Sequence, residues 1–242
     1  MSAVLSQAAT ELGVRLSVKQ KDAFDRYADL LLSDGRRAGV TAIVTRESVE
    51  RRHFVESLAV AKALLDADIL REGEPLRVID VGTGGGFPGL PMRLLLPRLR
   101  LTLLDARERT TAFLRDLLQV LGIDDVEVIT ARAEDAPRDA GYREQFDLAL
   151  ARAVAPLPVL LELTLPFLRV GGHLATLKGS RSQGEMARSE KALKVLGGAI
   201  LSGDPLRLPG GVQPQRLVVV RKLSPTPSRY PRKAGIPKKR PL

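Results

Sequence analysis

Apolar residues in the first seventy positions recur at steps of three and four, which places them on one face of a helix in each of two stretches. The first stretch ends at Gly35, and the second runs from about Glu47 to Leu70. The apolar positions are Val18, Phe24, Tyr27, Leu30 and Leu31 in the first stretch and Val49, Phe54, Leu58, Ala61 and Leu65 in the second. This pattern predicts an N-terminal helical extension, to which we assign residues 1–72.

From residue 73 the pattern changes to short β-branched runs that alternate with helical stretches. The predicted strands are Leu76–Val81, Leu101–Asp105, Val126–Ile129, Phe146–Ala151 and His173–Leu177. The predicted helices begin near Pro88 or span Glu108–Leu121 and Leu157–Leu168, the last with an interruption near Pro166. Alternation of this kind predicts an α/β fold with a parallel sheet covered on both faces.

Two further apolar runs, Ala199–Leu206 and Gln215–Leu223, follow a helix-like stretch at Gln183–Leu196. No helix separates the two runs, so we expect them to pair antiparallel through a turn at Pro209-Gly210-Gly211. We assign residues 73–223 to one α/β domain.

The remaining residues, 224–242, form a tail rich in proline and in positive charge. Its prolines are Pro225, Pro227, Pro231, Pro237 and Pro241, a density that argues against a helix or a central strand. From Arg221 to Leu242 there are eight basic residues and no acidic ones, whereas the net charge of the whole chain is +10. We predict an extended basic tail that binds a polyanion, because each neutralised phosphate releases a condensed counterion.

The composition excludes several kinds of structural and catalytic site. The chain has no Cys, which excludes disulfides, thiolate zinc sites and a cysteine nucleophile, and only two histidines, His53 and His173. We therefore expect no metal. The first residues do not resemble a signal peptide, and no apolar run approaches the roughly 20 residues of a membrane span. We expect a cytoplasmic protein with no membrane partner; nothing in the sequence indicates the oligomeric state, and a monomer is favoured.

The strongest chemical signal is a glycine-rich stretch between a predicted strand and helix, Asp80-Val-Gly-Thr-Gly-Gly-Gly-Phe-Pro-Gly89. Glycines there let backbone N–H groups approach a ligand at a helix N-terminus. Asp105 ends the next strand, where a carboxylate would accept bonds from the two ribose hydroxyls of an adenosine.

These features suit two kinds of cofactor. Gly84, Gly86 and Gly89 match the dinucleotide pattern, which by itself is weak evidence. The carboxylate of Asp80 is placed to receive an ammonium group, and Pro88 removes an N–H that a pyrophosphate would use. The stretch therefore favours S-adenosylmethionine, which carries an ammonium, a carboxylate and a ribose, over a dinucleotide.

At these residues the chain resembles the bacterial 16S ribosomal RNA guanine-N7 methyltransferases, also called the glucose-inhibited division protein B family. Five stretches carry the resemblance, in family order over roughly residues 40–242: His53–Leu58, Asp80–Gly89, Ala131–Glu134, Ala151–Leu157 and Tyr230–Gly235. The chain departs from the family at Gly39-Val40-Thr41, where an Asn-Leu-Thr sequence is common.

The resemblance implies a Rossmann-like methyltransferase fold, with a mostly parallel seven-stranded sheet and an N-terminal helical extension. It implies methyl transfer from S-adenosylmethionine to N7 of a guanine in 16S RNA, with that RNA or the small ribosomal subunit as partner. Guanine N7 is a lone pair without a proton, so we expect no general base and no catalytic acid or base residue. Consistent with this, the chain lacks the Cys of pyrimidine C5 methylation, and Arg152–Pro156 stands where exocyclic-amine methyltransferases carry Asn-Pro-Pro-Tyr.

Site residues follow from the resemblance and from their places at strand ends. Phe87 and Arg152 are expected to position the reactants, and His53 to pack the extension against the sheet. The expected cofactor-binding residues are Asp80, Gly82, Gly84, Phe87, Asp105, Ala106, Arg107, Ala133, Glu134 and Arg152. The expected RNA-binding residues are Arg229, Tyr230, Arg232, Lys233, Lys238 and Lys239.

Three alternatives remain open at this point. Glycine motifs report the cofactor and not the acceptor, so a methyltransferase acting on another RNA or another base position fits the same residues. A non-catalytic ribosome assembly factor with this fold is the second alternative. A dinucleotide oxidoreductase is the third, although the chain lacks a His, Tyr-Lys or Ser-Tyr constellation placed for hydride transfer.

Overall fold

Seven strands form a single sheet in the computed structural model, which describes residues 3–209 and 214–242. The strands are β1 Arg77–Val81, β2 Arg100–Asp105, β3 Glu127–Thr130, β4 Phe146–Arg152, β5 Leu168–Lys178, β6 Gly198–Leu206 and β7 Gln215–Lys222. Their spatial order is β3-β2-β1-β4-β5-β7-β6. Neighbours from β3 to β5 are parallel, whereas β7 runs antiparallel to both β5 and β6. This confirms the predicted, mostly parallel seven-stranded α/β fold.

Helices precede, connect and follow the strands. They are α1 Ala3–Glu11, α2 Val18–Leu30, α3 Arg46–Val49, α4 Glu56–Asp66, α5 Gly89–Leu95, α6 Glu108–Leu121, α7 Leu157–Thr164, α8 Ser182–Ala187, α9 Glu190–Leu196 and α10 Ile236–Lys239. A π-helical turn at Leu31–Gly35 continues α2, and another at Glu50–Val55 joins α3 to α4. The two amphipathic stretches predicted for the extension are therefore helical, but the first continues through Gly35 to Arg37 rather than ending at Gly35.

Some boundaries differ from the sequence-based prediction. Strand β5 begins at Leu168 rather than His173, because a single 3₁₀ turn at Leu165–Phe167 ends the preceding helix and Leu168 already pairs with Phe146. The predicted helix Gln183–Leu196 is divided into α8 and α9 at Ser189, whose hydroxyl donates to the Glu185 carbonyl (2.8 Å). Such side-chain bonds to the backbone compete with helix continuation.

Two predictions concern the hairpin turn and the tail. The turn between β6 and β7 was placed at Pro209-Gly210-Gly211, and Gly210 and Gly211 lie outside the described residues. The tail (residues 224–242) was expected to form no helix, but it contains the one-turn helix α10. Pro237 is tolerated there because it occupies the first turn, where a backbone N–H has no helical partner.

Apolar side chains of alternate strand positions enter two separate cores, one on each face of the sheet. Val78 of β1 belongs to the first core, with α1, α2, α4, α5 and α6, whereas Ile79 and Val81 belong to the second, with α7 and α9. Tyr230 of the tail is buried in the second core. The helical extension and the tail therefore cover opposite faces of the sheet.

Candidate cofactor site and adjoining cleft

The glycine-rich loop joins the carboxyl end of β1 to α5. Gly82 and Gly84 have φ angles of +68° and +58°, a region that favours glycine. Gly82 is exposed, and a Cβ built on it would lie 2.8 Å from the Val154 side chain, in the segment after β4. The loop therefore presents backbone rather than side chains at the carboxyl edge of the sheet.

Asp80 lies beneath this loop and is completely buried. Its Oδ2 accepts hydrogen bonds from the Thr83 hydroxyl and the Gly89 amide, both at 2.8 Å. Burial raises the pKa of Asp80 to about 6, although both hydrogen bonds oppose this shift. Its Oδ1 has no partner within the described part of the chain. Asp80 thus fixes the shape of the loop and retains one unpaired carboxylate oxygen beneath it.

Asp105 meets the same loop from the end of β2. Its Oδ2 accepts from the Gly84 amide at 3.2 Å, and its Oδ1 accepts from the Arg107 amide at 3.0 Å. Ala106 and Arg107 follow it and are exposed, with the Arg107 guanidinium 3.3 Å from Asp105. The parallel pairing of β1 with β2 brings these predicted residues together, because both strands end at one edge.

Ala133 and Glu134 follow β3 and are both partly exposed. The loop they occupy starts beside Asp105, since the Ala131 amide donates to the Asp105 carbonyl at 3.1 Å. One oxygen of Glu134, Oε1, accepts from the Gly235 amide of the tail at 3.0 Å. Glu134 therefore connects the end of the sheet with the tail, a contact that the sequence did not indicate.

Phe87 is buried in an aromatic group between the loop and the extension. Its ring lies 4.2 Å from the His53 ring and 5.4 Å from the Tyr27 ring, centroid to centroid, with planes 18° and 4° apart. The Tyr27 hydroxyl donates to the Gly85 carbonyl at 2.5 Å. The extension therefore supports the glycine loop through both stacking and a buried hydrogen bond.

Arg152, at the end of β4, joins this group to the extension. Its Nη1 donates to the Arg52 carbonyl (2.7 Å) and to Glu56 Oε2 (3.0 Å), and its Nη2 donates to His53 Nδ1 (2.8 Å). Its guanidinium also lies 5.1 Å from the centre of the Phe87 ring, within cation–π distance. Arg152 thus contacts the extension at three points and the glycine loop at one.

The surroundings of His53 determine its protonation state. Burial and the charge of Arg152 lower the pKa of His53 to about 3, so the ring is neutral at physiological pH. Nδ1 lies 2.8 Å from Arg152 Nη2, which can only donate, and 3.1 Å from the Arg52 carbonyl oxygen, which can only accept, while Nε2 faces Thr41 Oγ1 at 3.3 Å. His53 is therefore a packing and hydrogen-bonding residue, as the sequence predicted.

Glu56 completes the group from the first turn of α4. It is buried, and burial raises its pKa while the neighbouring Arg152 opposes the rise. Its second oxygen, Oε1, accepts from Gln215 Nε2 at 2.8 Å. Sequence reasoning singled out neither Glu56 nor Tyr27 as a site residue, although Glu56 lies within one of the stretches that carry the family resemblance.

A cleft of about 530 Å³ adjoins the glycine loop at the carboxyl ends of β4 and β5. Its lining residues are Arg52, His53, Glu56, Arg152, Ala153, Val154, Ala155, Pro156, Leu177, Lys178, Gly179, Glu185 and Gln215. Val154 closes the cleft toward Gly82. Ala153 has a φ of +57°, unusual for a residue with a side chain, and such strain is found at functional sites.

The tail is bound to the body of the protein rather than extended from it. Arg232 makes a bidentate ion pair with the buried Glu162 of α7, with Nε–Oε1 and Nη2–Oε2 distances of 2.9 and 2.6 Å. The Arg143 guanidinium donates to the carbonyls of Thr226 and Tyr230. Arg232 and Tyr230, both expected to contact RNA, are thus used in holding the tail in place.

The other expected RNA-binding residues are differently placed. The side chains of Arg229, Lys233, Lys238 and Lys239 are exposed. Arg229 and Lys233 line a groove of about 700 Å³ together with Arg138, whereas Lys238 and Lys239 belong to α10. The tail therefore carries an exposed basic surface on a fixed backbone.

Within residues 3–209 and 214–242, no group of three or more His, Cys, Asp or Glu side chains could hold a metal ion. In the same residues, no helix has the length and apolar character needed to cross a lipid bilayer.

Known proteins resemble this chain in sequence and in fold. A putative O-methyltransferase from Klebsiella pneumoniae superposes with a TM-score of 0.57, at 16% identity, over 92% of this chain and 97% of its own. MtNAS, whose structure contains MTA and tNA, gives a TM-score of 0.56 at 16% identity, over 81% of this chain and 71% of its own. At such identities the likeness concerns the fold alone. The fold and the glycine loop place the protein in the class of Rossmann-like α/β proteins.

Sequence comparison identifies the family within that class. Residues 20–206 match the family described as rRNA small subunit methyltransferase G. The ribosomal RNA small subunit methyltransferase G of Roseiflexus sp. (strain RS-1) is 42% identical over 239 residues, 99% of each chain. The protein of that name from Leuconostoc citreum (strain KM20) is 41% identical over 238 residues, 97% of this chain and 96% of its own. The chain belongs to the rRNA small subunit methyltransferase G family, which confirms the predicted family and the predicted enzyme class.

Proposed function

We propose that the protein transfers a methyl group from S-adenosylmethionine to N7 of a guanine in 16S ribosomal RNA. The observation that carries this proposal is family membership over nearly the whole chain, together with a glycine loop and Asp105 that meet at the carboxyl edge of the sheet. Since 16S RNA is bacterial and cytoplasmic, the cytoplasm is the place of action.

The residues at this edge fit S-adenosylmethionine. Gly84 has open space where a Cβ would lie, whereas Val154 packs over Gly82, and Asp105 lies hydrogen-bonded to Gly84, where ribose hydroxyls would exchange for the present partner. Ala106, Arg107 and Ala133 would border the adenine. The unpaired Asp80 Oδ1 is an acceptor beneath the loop and would attract the ammonium group of the cofactor.

The bound cofactor supplies an electrophilic methyl group on a sulfonium. The protein contributes position and electrostatics, because N7 carries no proton and attacks the methyl directly. His53 is neutral, and Arg152 and Thr41 lie at its two ring nitrogens, so it is not arranged as a general base. Phe87, held by Tyr27 and His53, fixes the wall between the cofactor and the cleft.

The RNA would meet both the cleft and the tail. The exposed side chains of Arg229, Lys233, Lys238 and Lys239 are placed to neutralise phosphates. Arg232 and Tyr230 support this surface from beneath, because Glu162 and the second core hold them. This division of roles differs from the sequence-based hypothesis, which gave all six residues to RNA.

Mass mapping of methylated nucleotides tests the proposal. The protein is incubated with 16S RNA, or with small subunits, and isotope-labelled S-adenosylmethionine, and the RNA is then digested. We expect the label at one guanine N7. Label on an exocyclic amine or on a pyrimidine would support another methyltransferase activity, and RNA binding without any label would support a non-catalytic assembly role.

A further inference from the structure

The cleft beside the glycine loop contains an ion pair whose function the cofactor site does not explain. Lys178 ends β5, and its Nζ lies 3.0 Å from Oε2 of Glu185 in α8. Both side chains are largely shielded, with relative exposures of 10% and 16%, and both line the cleft. An ion pair in this position needs additional hydrogen bonds to offset its desolvation.

Part of the hydrogen-bonding capacity of this pair is used within the protein. Lys178 Nζ donates to the Ala155 carbonyl at 2.6 Å, and Glu185 Oε2 accepts from the Leu157 amide at 2.8 Å. These two bonds hold the pair against the segment between β4 and α7. A lysine ammonium has three N–H groups, so one donor remains on Lys178. Within the described residues, Glu185 Oε1 receives no hydrogen bond. The pair therefore presents a donor beside an acceptor.

This pattern is complementary to one edge of guanine. Guanine offers the O6 acceptor next to the N1–H donor, whereas adenine offers an amino donor next to the N1 acceptor. A Lys ammonium beside a carboxylate therefore matches guanine. With adenine, the ammonium donor would face the amino donor, and the carboxylate acceptor would face the N1 acceptor. Guanine O6 also neighbours N7, so a base held at O6 and N1 keeps N7 near the contact.

Four of the five charged residues that line the cleft, all but the exposed Arg52, belong to two ion pairs, Arg152–Glu56 and Lys178–Glu185. Glu56 and Glu185 both line the cleft, and their carboxylates would repel an anion. The cations Arg152 and Lys178 are already paired with these two carboxylates. Methylation at N7 places a positive charge on the guanine ring, which two nearby carboxylates stabilise. The cleft volume of about 530 Å³ is also within the usual range of about 300–1,000 Å³ for small-molecule sites.

We propose that Lys178 and Glu185 read the O6 and N1–H edge of the target guanine and thereby select guanine over adenine. Val154 lines the cleft and packs over Gly82, which sets the recognised base directly beside the glycine loop. This inference rests on the proposed function and adds the residues that recognise the acceptor base.

The test uses 16S RNA in which the mapped guanine is replaced by inosine or by 2-aminopurine. Both analogues retain N7. Inosine also retains O6 and N1–H, whereas 2-aminopurine lacks both. For the unaltered protein we expect kcat/KM on inosine within about tenfold of guanine and a loss of at least about 100-fold on 2-aminopurine, since unpaired polar groups discriminate strongly. Chemical methylation by dimethyl sulfate measures the intrinsic reactivity of each N7, and each enzymatic kcat/KM is divided by that reactivity.

Two variants connect the discrimination to the pair. Lys178→Met and Glu185→Gln should each lower kcat/KM on guanine by about 10- to 100-fold and narrow the ratio between guanine and 2-aminopurine. Lys191→Met and Glu190→Gln, at exposed positions of α9, are matched controls and should change neither quantity. The melting temperature and the affinity for S-adenosylhomocysteine show whether each variant remains folded.

The outcomes separate this inference from the proposed function. If the unaltered protein labels no guanine N7, the proposed function fails. If it labels guanine and 2-aminopurine equally well, only the base-reading inference fails, and this result requires no variant. If Lys178→Met lowers kcat/KM on guanine and on 2-aminopurine by the same factor, Lys178 holds the loop or a phosphate instead. The inference is then likewise overturned.

Discussion

His53 and Phe87 stack with their ring centroids 4.2 Å apart and their planes 18° apart, so the helical extension packs on the glycine loop through these two rings. Arg152 contacts both rings, one through a hydrogen bond at 2.8 Å and the other from 5.1 Å above its centre. The extension is therefore part of the candidate site, because the position of Phe87 beside the glycine loop depends on it.

His53 makes stability depend on pH in a predictable direction. Its pKa is about 3 in the folded protein against 6.5 ordinarily, so below pH 6.5 the unfolded chain binds a proton that the folded chain does not. The free energy of unfolding should therefore fall as the pH falls from about 6.5 toward 3, by up to about 1.4 kcal/mol per pH unit.

Comparison with His53→Gln isolates this contribution. Asp80 has the opposite effect, since its pKa is raised from 3.8 to about 6 and its stabilising contribution is lost as the pH rises through this window. Asp80 is present in both proteins, so it cancels in the difference. The difference between the two urea-unfolding free energies should shrink from pH 6.5 to pH 4, and a constant difference would contradict a neutral His53.

Tyr27→Phe should destabilise the protein by about 1–3 kcal/mol, because it leaves the buried Gly85 carbonyl without its donor. Affinity for S-adenosylhomocysteine should fall as well, since the glycine loop loses its support. Tyr142→Phe is the matched control: its hydroxyl donates to Glu127 at a partly exposed position and should cost less than about 0.5 kcal/mol. Equal costs for both variants would argue against a special role for Tyr27.

Asp105→Ala should weaken cofactor binding by about 1.5–3 kcal/mol, the value of a hydrogen bond to a charged group. Calorimetry with S-adenosylmethionine measures the change, and Asp116→Ala at an exposed position of α6 is the control. A dissociation constant that does not change would remove Asp105 from the cofactor site.

Methyl transfer in a single turnover should show no essential ionisation between about pH 6 and pH 9, because guanine N7 is unprotonated throughout and no base is needed. His53 titrates at about 3, well outside this window, and Asp80 at about 6 marks its lower end. A bell-shaped rate profile inside the window would reveal a general base.

The tail should separate into residues that bind RNA and residues that hold the fold. Replacing Lys233, Lys238 and Lys239 together by Ala should reduce the slope of log affinity against log salt by roughly 2–3, at roughly 0.7–0.9 for each phosphate contact. Stability should remain unchanged, because all three side chains are exposed.

Arg232→Met should act on stability instead. It leaves the carboxylate of Glu162, which is only 1% exposed, buried without its counter-charge, although the backbone amide of residue 232 still donates to Oε1, and the cost should be about 3–5 kcal/mol. The double variant Arg232→Met with Glu162→Gln should recover much of that loss. A single Arg232→Met variant with normal stability and a flattened salt dependence would return Arg232 to the RNA-binding set.

The sequence predicted the parts of the site that depend on strand ends. Asp80 and Asp105 follow apolar runs, and parallel strands place such ends at one edge, so their meeting at the glycine loop follows from the pattern. The order of strands and helices likewise predicted the parallel region and the final antiparallel pair.

Contacts between distant segments were beyond the reach of the pattern. Tyr27 and Gly85 are 58 residues apart, and Glu56 and Arg152 are 96 apart, and neither local periodicity nor spacing chooses such partners. The tail shows the same limit. A run of basic residues is typical of a solvent-exposed segment. The ion pair of Arg232 with the buried Glu162 follows only from the packing of α7.

The hydrogen bond from Gly235 to Glu134 joins the tail to the loop after β3, away from the carboxyl ends of β4 and β5 where the cleft lies. Under the proposed function, RNA contacts the tail and the adenine of the cofactor contacts the loop after β3, so a ligand that strengthens this hydrogen bond favours the arrangement that the other ligand also binds. By thermodynamic reciprocity, each then tightens the other by the same factor. S-adenosylmethionine and its demethylated product share one adenosine, so this coupling is equal before and after transfer. Release of the methylated RNA must therefore depend on the contacts of the guanine in the cleft, because methylation has given its ring a positive charge.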